Sequence, residues 1–431
     1  CRMAATFRTC PMSSLLAFDE AFQRLLARAQ PLQGIEVVPT MQADGRVLAE
    51  PVISMMDIPA WDTSQMNGYA VRAAELEADP DRVFPISQRI PAGHPGLALR
   101  KGTVARIFTG AALPVGADAV VMQENAEEVP LKDGSKGVRF RLRVQPQPGE
   151  MVCRKADNVQ AGTEILPAGT ALTPAAIGLV ASVGLPELTV RRRPRVACFF
   201  TGDELLMPGQ PLSPGAIYNS NRFVLAAALR RLGCEVIDLG IVPDSLEATR
   251  ASLRQAALDA DLIITAGGVS VGEEDHVRPA VEAEGEIDLW RIAIKPGKPL
   301  AYGRVRRTRD AGPEGYAHFI GLPGNPVSSF ITFLLLVRPF ILKLQGARSW
   351  EPRRIQMTAD FAWPRPDKRR EFLRAVLQPD GKLLKLFRNQ GSAVLTSAVI
   401  GDGLIDNPPG QPIQPGDTVQ YIPFAELLGL R

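Results

Sequence analysis

The sequence is short of the residues on which most metal and redox chemistry depends. It has five cysteines and three histidines in 431 residues. The cysteine count is odd and none of Cys1, Cys10, Cys153, Cys198 and Cys234 stands in C-x-x-C spacing, so neither a disulfide framework nor a zinc ribbon is indicated. His94, His276 and His318 are scattered. That argues against a histidine-based metal centre, and any metal is expected to be a hard ion held by carboxylates. An excess of one charge is also missing. Lys and Arg number 49 against 46 Asp and Glu, a formal charge of +3. That is too little to imply nucleic acid from the whole chain, and the basic run Arg191-Arg192-Arg193-Pro194-Arg195 reads as a solvated linker. The most apolar run, 330–342, is about 13 residues and contains Arg338; it is expected to be too short to cross a bilayer and reads as a buried helix. Residues 1–18 carry no recognisable secretory signal, and a cytoplasmic location is expected. The chain opens on Cys1, and residues 1–11 are expected to precede a start at Met12. Neither a G-x-G-x-x-G after a strand nor a G-x-x-x-x-G-K-[ST] occurs, which removes support for dinucleotide and P-loop readings.

What remains is ordinary globular composition, 45% hydrophobic and 22% charged, with 38 Gly and 37 Pro to make turns. At about 150 residues per domain the length suggests roughly three domains. Residues 13–29 read as a helix capped by Ser13 or Ser14, with Leu15, Phe18, Phe22, Leu25 and Leu26 on one face. Residues 32–57 alternate around Asp44-Gly45, a hairpin signal. Residues 58–157 are rich in turns, with a regular alternation at 139–144, and suggest a small β domain. Residues 13–57 and 158–192 are expected to form one discontinuous domain. From 193 to 345 strands and helices alternate, the pattern of a mostly parallel sheet covered by helices. Residues 346–431 return to short strands and read as a small all-β domain.

In open α/β sheets ligands bind beyond the carboxyl ends of the strands. Four unusual loops each follow an expected strand here: Thr201-Gly202-Asp203-Glu204, the run from Ala266 through Gly267, Gly268 and Ser270 to Gly272, Lys295-Pro296-Gly297-Lys298-Pro299, and Gly321-Leu322-Pro323-Gly324-Asn325-Pro326. One such loop is only a tight turn; four on one edge make a site. Glycines let backbone N–H groups approach an anion closely. Asp275 and His276 fall where a helix would begin, a place that favours phosphate. Lys295 and Lys298 flank a Pro-Gly turn, and Glu204, Asp244 and Asp275 suit Mg²⁺ or a ribose hydroxyl. Asp244 to Glu247 resembles a capping box opening a helix. A second cluster, 61–69, joins Asp62, Ser64 and an Asn67-Gly68 pair, which alone reads as a β-hairpin turn.

Taken together, "DTSQMNGYAVR" (62–72), "FTGAALPVGADAVVMQE" (108–124), "TGDEL" (201–205), "GGVSVGEED" (267–275), "AIKPGKPLAYG" (293–303) and "GLPGNPVSS" (321–329) resemble the molybdopterin molybdenumtransferases, the MoeA and gephyrin E-domain family of molybdenum-cofactor biosynthesis. The six blocks stand in the family's order and span nearly the whole chain after residue 12.

The resemblance implies a multidomain α/β plus β subunit. Its parts would be a discontinuous elongated domain (13–57 with 158–192), a small β domain (58–157), an α/β pterin-nucleotide domain (193–345) and a C-terminal β-barrel (346–431). It implies a homodimer whose cleft takes residues from the partner. The implied reaction uses Mg²⁺ and converts adenylylated molybdopterin and molybdate to molybdenum cofactor and AMP. The pathway adenylyltransferase and molybdoenzyme acceptors would be protein partners, with no nucleic acid or membrane involved. On the same footing Glu204, Asp244, Gly267, Gly268, Ser270, Asp275, Lys295 and Lys298 would bind the pterin nucleotide. Thr201, Gly202, Gly272, Arg291, Pro323, Gly324, Asn325 and Pro326 would lie beside them, and Glu204, Asp244 and Asp275 would hold the metal. Asp62, Ser64, Thr109 and Asp157 would complete the cleft from other domains. One departure stands out. Asn67 replaces the second Asp of the family's D-x-S-x-M-D-G pattern, keeping a carbonyl oxygen and losing a charge. Arg291 stands where many members have Lys. Two rivals follow from the same motifs: the pathway adenylyltransferase, which is a single α/β domain, and a gephyrin-like scaffold.

Overall fold

The computed structural model describes residues 15–78, 81–269, 276–308 and 315–429. The chain forms two compact units. One comprises the chain up to Glu50, Ala168–Pro174 and everything from Glu187; the other comprises Pro51–Pro167 and Ala175–Pro186.

The first unit is built on a six-stranded sheet. Its strands β1 (Arg195–Thr201), β2 (Glu235–Val242), β3 (Leu262–Ala266), β4 (Gly285–Arg291), β5 (Pro299–Arg306) and β6 (Tyr316–Leu322) lie in the order β2-β1-β3-β6-β5-β4. The first four in that order are parallel. β5 is antiparallel to both β6 and β4. The fully parallel arrangement suggested by the alternation stops there because the connections 292–298 and 307–315 are too short for a crossover, which takes about a dozen residues or more. β4 therefore runs in the same direction as β6, and its connection to β5 opens on the carboxyl edge with the loops after β1, β2, β3 and β6. Alternate side chains build two cores. Val196, Cys198, Phe200, Leu262 and Ile264 pack with the helices Ser220–Arg231 and Pro326–Leu344, while Ala197, Phe199 and Ile263 pack with Leu246–Asp259 and Val277–Glu284.

The helix Pro326–Leu344 is long and apolar enough to cross a membrane, yet nearly all of it is buried inside the unit. Its middle, Phe333–Val337, widens into a π turn just before Pro339. A proline lacks the N–H for an α-helical bond and its ring crowds the carbonyl four residues back, so the wider turn relieves both. Arg338, buried on this helix, donates to the carbonyls of Trp350 and Glu426.

Three local expectations change. The N-terminal helix runs Phe18–Arg28, with no side-chain cap and Phe18, Ala21, Leu25 and Leu26 buried; Leu15 precedes it and is exposed, and Ser13 and Ser14 lie outside the described residues. Asp44-Gly45 closes no hairpin. The strand Ile35–Pro39 pairs instead with Glu187–Arg191, far along the chain, so that these two distant segments share a ladder. The basic run is anchored rather than solvated: Arg192 forms two 2.7 Å bonds to the buried Asp261, and Arg193 donates to the Gly233 carbonyl.

The C-terminal strands Ile355–Ala359, Arg370–Leu377, Leu383–Leu386, Gly403–Asn407 and Thr418–Pro423 pair in a closed cycle, a five-stranded barrel filled by Leu373, Leu384, Ile405 and Tyr421. A two-residue strand from the α/β domain, Ile294–Lys295, adds to the barrel alongside Arg370 and Glu371.

The second unit carries its own six-stranded sheet, in the order Ala119–Met122, Gly68–Val71, Val104–Ile107, Val83–Ile90, Lys136–Phe140, Ala126–Pro130. The alternation at 139–144 therefore forms a strand only as far as Phe140. Thr63–Ser64 pairs with Val152–Cys153, not with Gly68–Val71, so Asn67-Gly68 is not a hairpin turn. Gly68 lies within a strand, where a Cβ would overlap the Val121 carbonyl. Glycine is there for close approach, not for the turn.

Candidate functional site

A cavity of about 730 Å³ lies at the carboxyl edge of the α/β sheet. Thr201, Gly202 and Glu204 line it after β1, Asp244 after β2, and Gly267, Gly268 and Val269 after β3. Lys295, Gly297 and Lys298 come from the β4–β5 connection; Pro323, Gly324, Asn325 and Ser328 follow β6. All four loops singled out from the sequence thus reach one cavity.

Local chemistry explains how several of these groups are set. The helix Leu246–Asp259 is capped by Ser245, whose hydroxyl accepts from the Ala248 N–H at 3.3 Å. The expected cap, Asp244, is thereby left free to line the cavity. Asn219 caps the helix Ser220–Arg231, and the next Asn, Asn221, donates through Nδ2 to the Gly324 carbonyl at 2.7 Å, holding the loop after β6. Gly267 and Gly268 have φ of 103° and 65°, values a side chain disfavours. The Gly267 N–H donates to the Leu322 carbonyl at 3.0 Å, so it ties β3 to β6 and is not open to an anion. Lys295 Nζ lies 3.1 Å from Glu371 Oε1 and 3.5 Å from Asp367 Oδ2. Lys298, Glu204 and Asp244 form no ion pair among the described residues.

The sequence reading did not find the barrel's contribution. Arg369, Gln390, Gly391 and Ser392 also line the cavity. Arg369 is held by Asp367, which accepts from its Nε at 3.0 Å and its Nη2 at 2.8 Å. That guanidinium holds the Asp367 carboxyl well below the usual carboxylate range. The only signal available was the density of charge at 365–371, in a stretch read as ordinary β domain.

Other expected site residues fall elsewhere. Arg291 is exposed and does not line the cavity, and Pro326 serves as the first residue of its helix. Ser270, Gly272 and Asp275 lie outside the described residues. Gly268-Val269-Ser270-Val271-Gly272 also spells G-x-S-x-G, the nucleophile-elbow spacing, but among the described residues no histidine lines the cavity to serve such a serine.

The second unit gathers Asp62, Ser64, Asn67 and Thr109. Asp62 accepts from the Lys155 N–H at 2.8 Å and from Arg154 Nη1 at 2.7 Å, and these donors, the backbone one first, hold its carboxyl below the usual range. Ser64 is buried and donates to the Met66 carbonyl at 2.7 Å. Asn67 Oδ1 accepts from the Thr109 N–H at 3.0 Å, while the Thr109 hydroxyl donates to the Gln65 carbonyl. Asp157 is exposed, with Cys153 Sγ at 3.8 Å.

Comparison with known proteins now decides the family. The chain is 36% identical over 422 residues to a molybdopterin molybdenumtransferase of Haemophilus influenzae, covering 96% of this chain and all of that protein. The chain belongs to the molybdopterin molybdenumtransferase family. A second relative of that name, from Nostoc, is 40% identical over 348 residues, covering 79% of this chain and 77% of its own length. Family descriptions match in series: the MoeA N-terminal region, domains I and II, over 16–184; a probable molybdopterin binding domain over 197–343; and the MoeA C-terminal region, domain IV, over 356–424. The crystal structure of a molybdopterin biosynthesis moea protein from Pyrococcus horikosii superposes with a TM-score of 0.72 at 30% identity, covering 95% of this chain and 99% of that one. The cavity thus lies in the part matched by the molybdopterin binding description, with a wall from the part matched by domain IV of the molybdenumtransferase family.

Proposed function

We propose that this protein inserts molybdate into adenylylated molybdopterin, releasing AMP and forming molybdenum cofactor. The observation that carries the reading is the cavity itself. Three cations, Lys295, Lys298 and Arg369, surround one space together with two carboxylates, Glu204 and Asp244. A pyrophosphate-bearing ligand and an oxyanion need that many positive groups, and Mg²⁺ with substrate phosphates usually takes only one or two protein carboxylates. Glu204 and Asp244 fit that donor set, and Asp275 is expected to join them. Bound there, Mg²⁺ would neutralise charge on the phosphates.

The residues' own roles follow from their chemistry. Lys295 and Lys298 steady the phosphate oxygens and balance the negative charge that grows on AMP as it leaves. The positive-φ glycines after β3 let the loop turn against Thr201 and Val277, where a Cβ at Gly268 would collide with the Val277 side chain. Arg369 and Ser392 offer donors to an oxyanion from the barrel side. The pterin supplies the dithiolene that captures molybdenum, and the protein orients it. Asp62, Ser64, Asn67 and Thr109 hold the 154–155, 66 and 109 segments of the second unit in shape. The active form is a homodimer. The apolar side chains Ile35, Val37 and Met41, more than half exposed on the single chain, support a further covering surface. Light scattering on the intact protein should give twice the 46.6 kDa chain mass.

The deciding assay incubates the protein with adenylylated molybdopterin and follows AMP. Molybdate with Mg²⁺ should accelerate its release. Pyrophosphate formed from ATP would point to adenylyl transfer instead, a reading that full-length similarity to molybdenumtransferases does not favour. A folded protein that bound partners and released no AMP would be a scaffold.

A further inference from the structure

Lys295 stands on the α/β edge, but the position of its ammonium is set from the barrel. Glu371 is completely buried. Its Oε1 accepts from Lys295 Nζ at 3.1 Å. Its Oε2 accepts from Trp363 Nε1 at 2.8 Å and from the Asp367 N–H at 3.1 Å. The two residues are also partners in the short parallel ladder, Lys295 opposite Glu371, so backbone and side chain fix the same pair. Asp367, held through its own N–H by Glu371, in turn grips Arg369. One buried carboxylate therefore sits behind two of the three cations of the cavity.

The geometry points to Glu371 as a positioning residue of this site. It acts through Lys295, fixing the ammonium where a ligand oxyanion meets it, and through Asp367 it steadies Arg369. This role rests on the reading of the cavity as an oxyanion site. A carboxylate beside a lysine could instead merely cancel its charge, and then its removal would help an anion to bind. The division of its oxygens argues for positioning. Oε2 is committed to the barrel by two donors, so Glu371 cannot follow the lysine; the lysine must come to it.

The same division gives a selective variant. In Glu371→Gln the amide has a single acceptor oxygen, and two donors on the barrel side claim it. The NH₂ group is left facing Lys295, so the barrel keeps its bonds while the lysine loses its closer anchor and keeps only the 3.5 Å contact to Asp367. Binding of molybdate, measured by calorimetry on the full-length protein, should weaken about tenfold, the lower end of what a bond to a charged group contributes. Thermal unfolding should be little changed. Lys295→Met should also weaken molybdate binding and should lower Tm, because it strands a buried carboxylate without its charge partner. The double variant Lys295→Met/Glu371→Gln should bind molybdate no worse than Lys295→Met alone and unfold at a higher temperature than it, the signature of two residues acting as one. Tighter binding in Glu371→Gln would overturn positioning in favour of charge cancellation, and additive losses would overturn action through Lys295. Undiminished molybdate binding in Lys295→Met would remove the oxyanion reading of the cavity and this role with it, a result distinct from either.

Discussion

The polar clusters of the two units are made of similar residues but are committed differently. In the second unit Asp62 is occupied by Arg154 and the Lys155 N–H, Ser64 by the Met66 carbonyl, and Asn67 by the Thr109 N–H. Around the α/β cavity, Glu204, Asp244 and Lys298 have no ion-pair partner among the described residues. Closed hydrogen-bond sets build shape, whereas polar groups left open on a concave surface wait for a ligand. Lys295 and Arg369 stand between these cases, open to the cavity yet gripped from behind.

If that contrast is right, substitutions in the two places should part stability from activity. The largest effect is expected from Lys298→Ala, which should lower molybdate-dependent AMP release on the order of a hundredfold, as loss of a transition-state charge contact commonly does, while Tm stays put. A large fall in Tm would show that Lys298 is structural and erase the contrast. Asp62→Ala should act the other way. Two bonds are lost, and about 1–2 kcal/mol of stability should go with them, seen by calorimetry of unfolding. Activity should fall less than in Lys298→Ala; an equal or greater loss with unchanged Tm would place Asp62 among the ligand contacts.

Acid sharpens the same point. The folded-state pKa of Asp62 is lowered, chiefly by the Lys155 N–H, so its contribution is present above the unfolded carboxylate value near 4 and disappears as pH falls through the lower folded value. Between about pH 5 and 2, Tm should therefore decline more steeply for the unaltered protein than for Asp62→Asn; parallel curves would mean that the carboxylate is not held in solution. The smallest effect belongs to Asn67→Asp. A carboxylate oxygen accepts the Thr109 N–H as the amide oxygen does, so stability should change by less than about 0.5 kcal/mol and the Mg²⁺ dependence of AMP release should be unaltered. A marked gain in activity, or tighter Mg²⁺ dependence, would show that a charge belongs at this position.

Much of this was legible in the sequence where local signals and tertiary roles coincide. The loops 201–204, 295–299 and 321–326 carry turn residues because they are turns, and they meet because the strands before them run in one direction. The helix after Asp244 was legible too, but its cap was not: Asp244 and Ser245 are both good caps, and only the structure shows that the serine takes the job and leaves the carboxylate free. Asn67-Gly68 misled for a related reason. The pair fits a type I′ turn, yet Gly68 is required by the nearby Val121 carbonyl, a partner more than fifty positions away. The hairpin at Asp44-Gly45 failed because Ile35–Pro39 found a better partner in Glu187–Arg191. The charge density at 365–371 was visible, but nothing local ties a charged barrel strand to a cavity in the preceding domain, so the roles of Arg369 and Glu371 were not legible. That link is made by two residues of ladder, Ile294 and Lys295 against Arg370 and Glu371.

That short ladder means that the working module runs across the line between the α/β domain and the barrel. The packing crosses it too, since the core on one face of the α/β sheet continues into Phe372, Leu404, Ile422 and Phe424, so the sheet is no separable piece. Cut before the barrel, it would also lose a wall of its cavity, the anchor of one lysine and an arginine, and would gain a bare strand edge. Exchanging barrels between relatives would thus be an exchange of binding properties, however faithfully each half kept its shape.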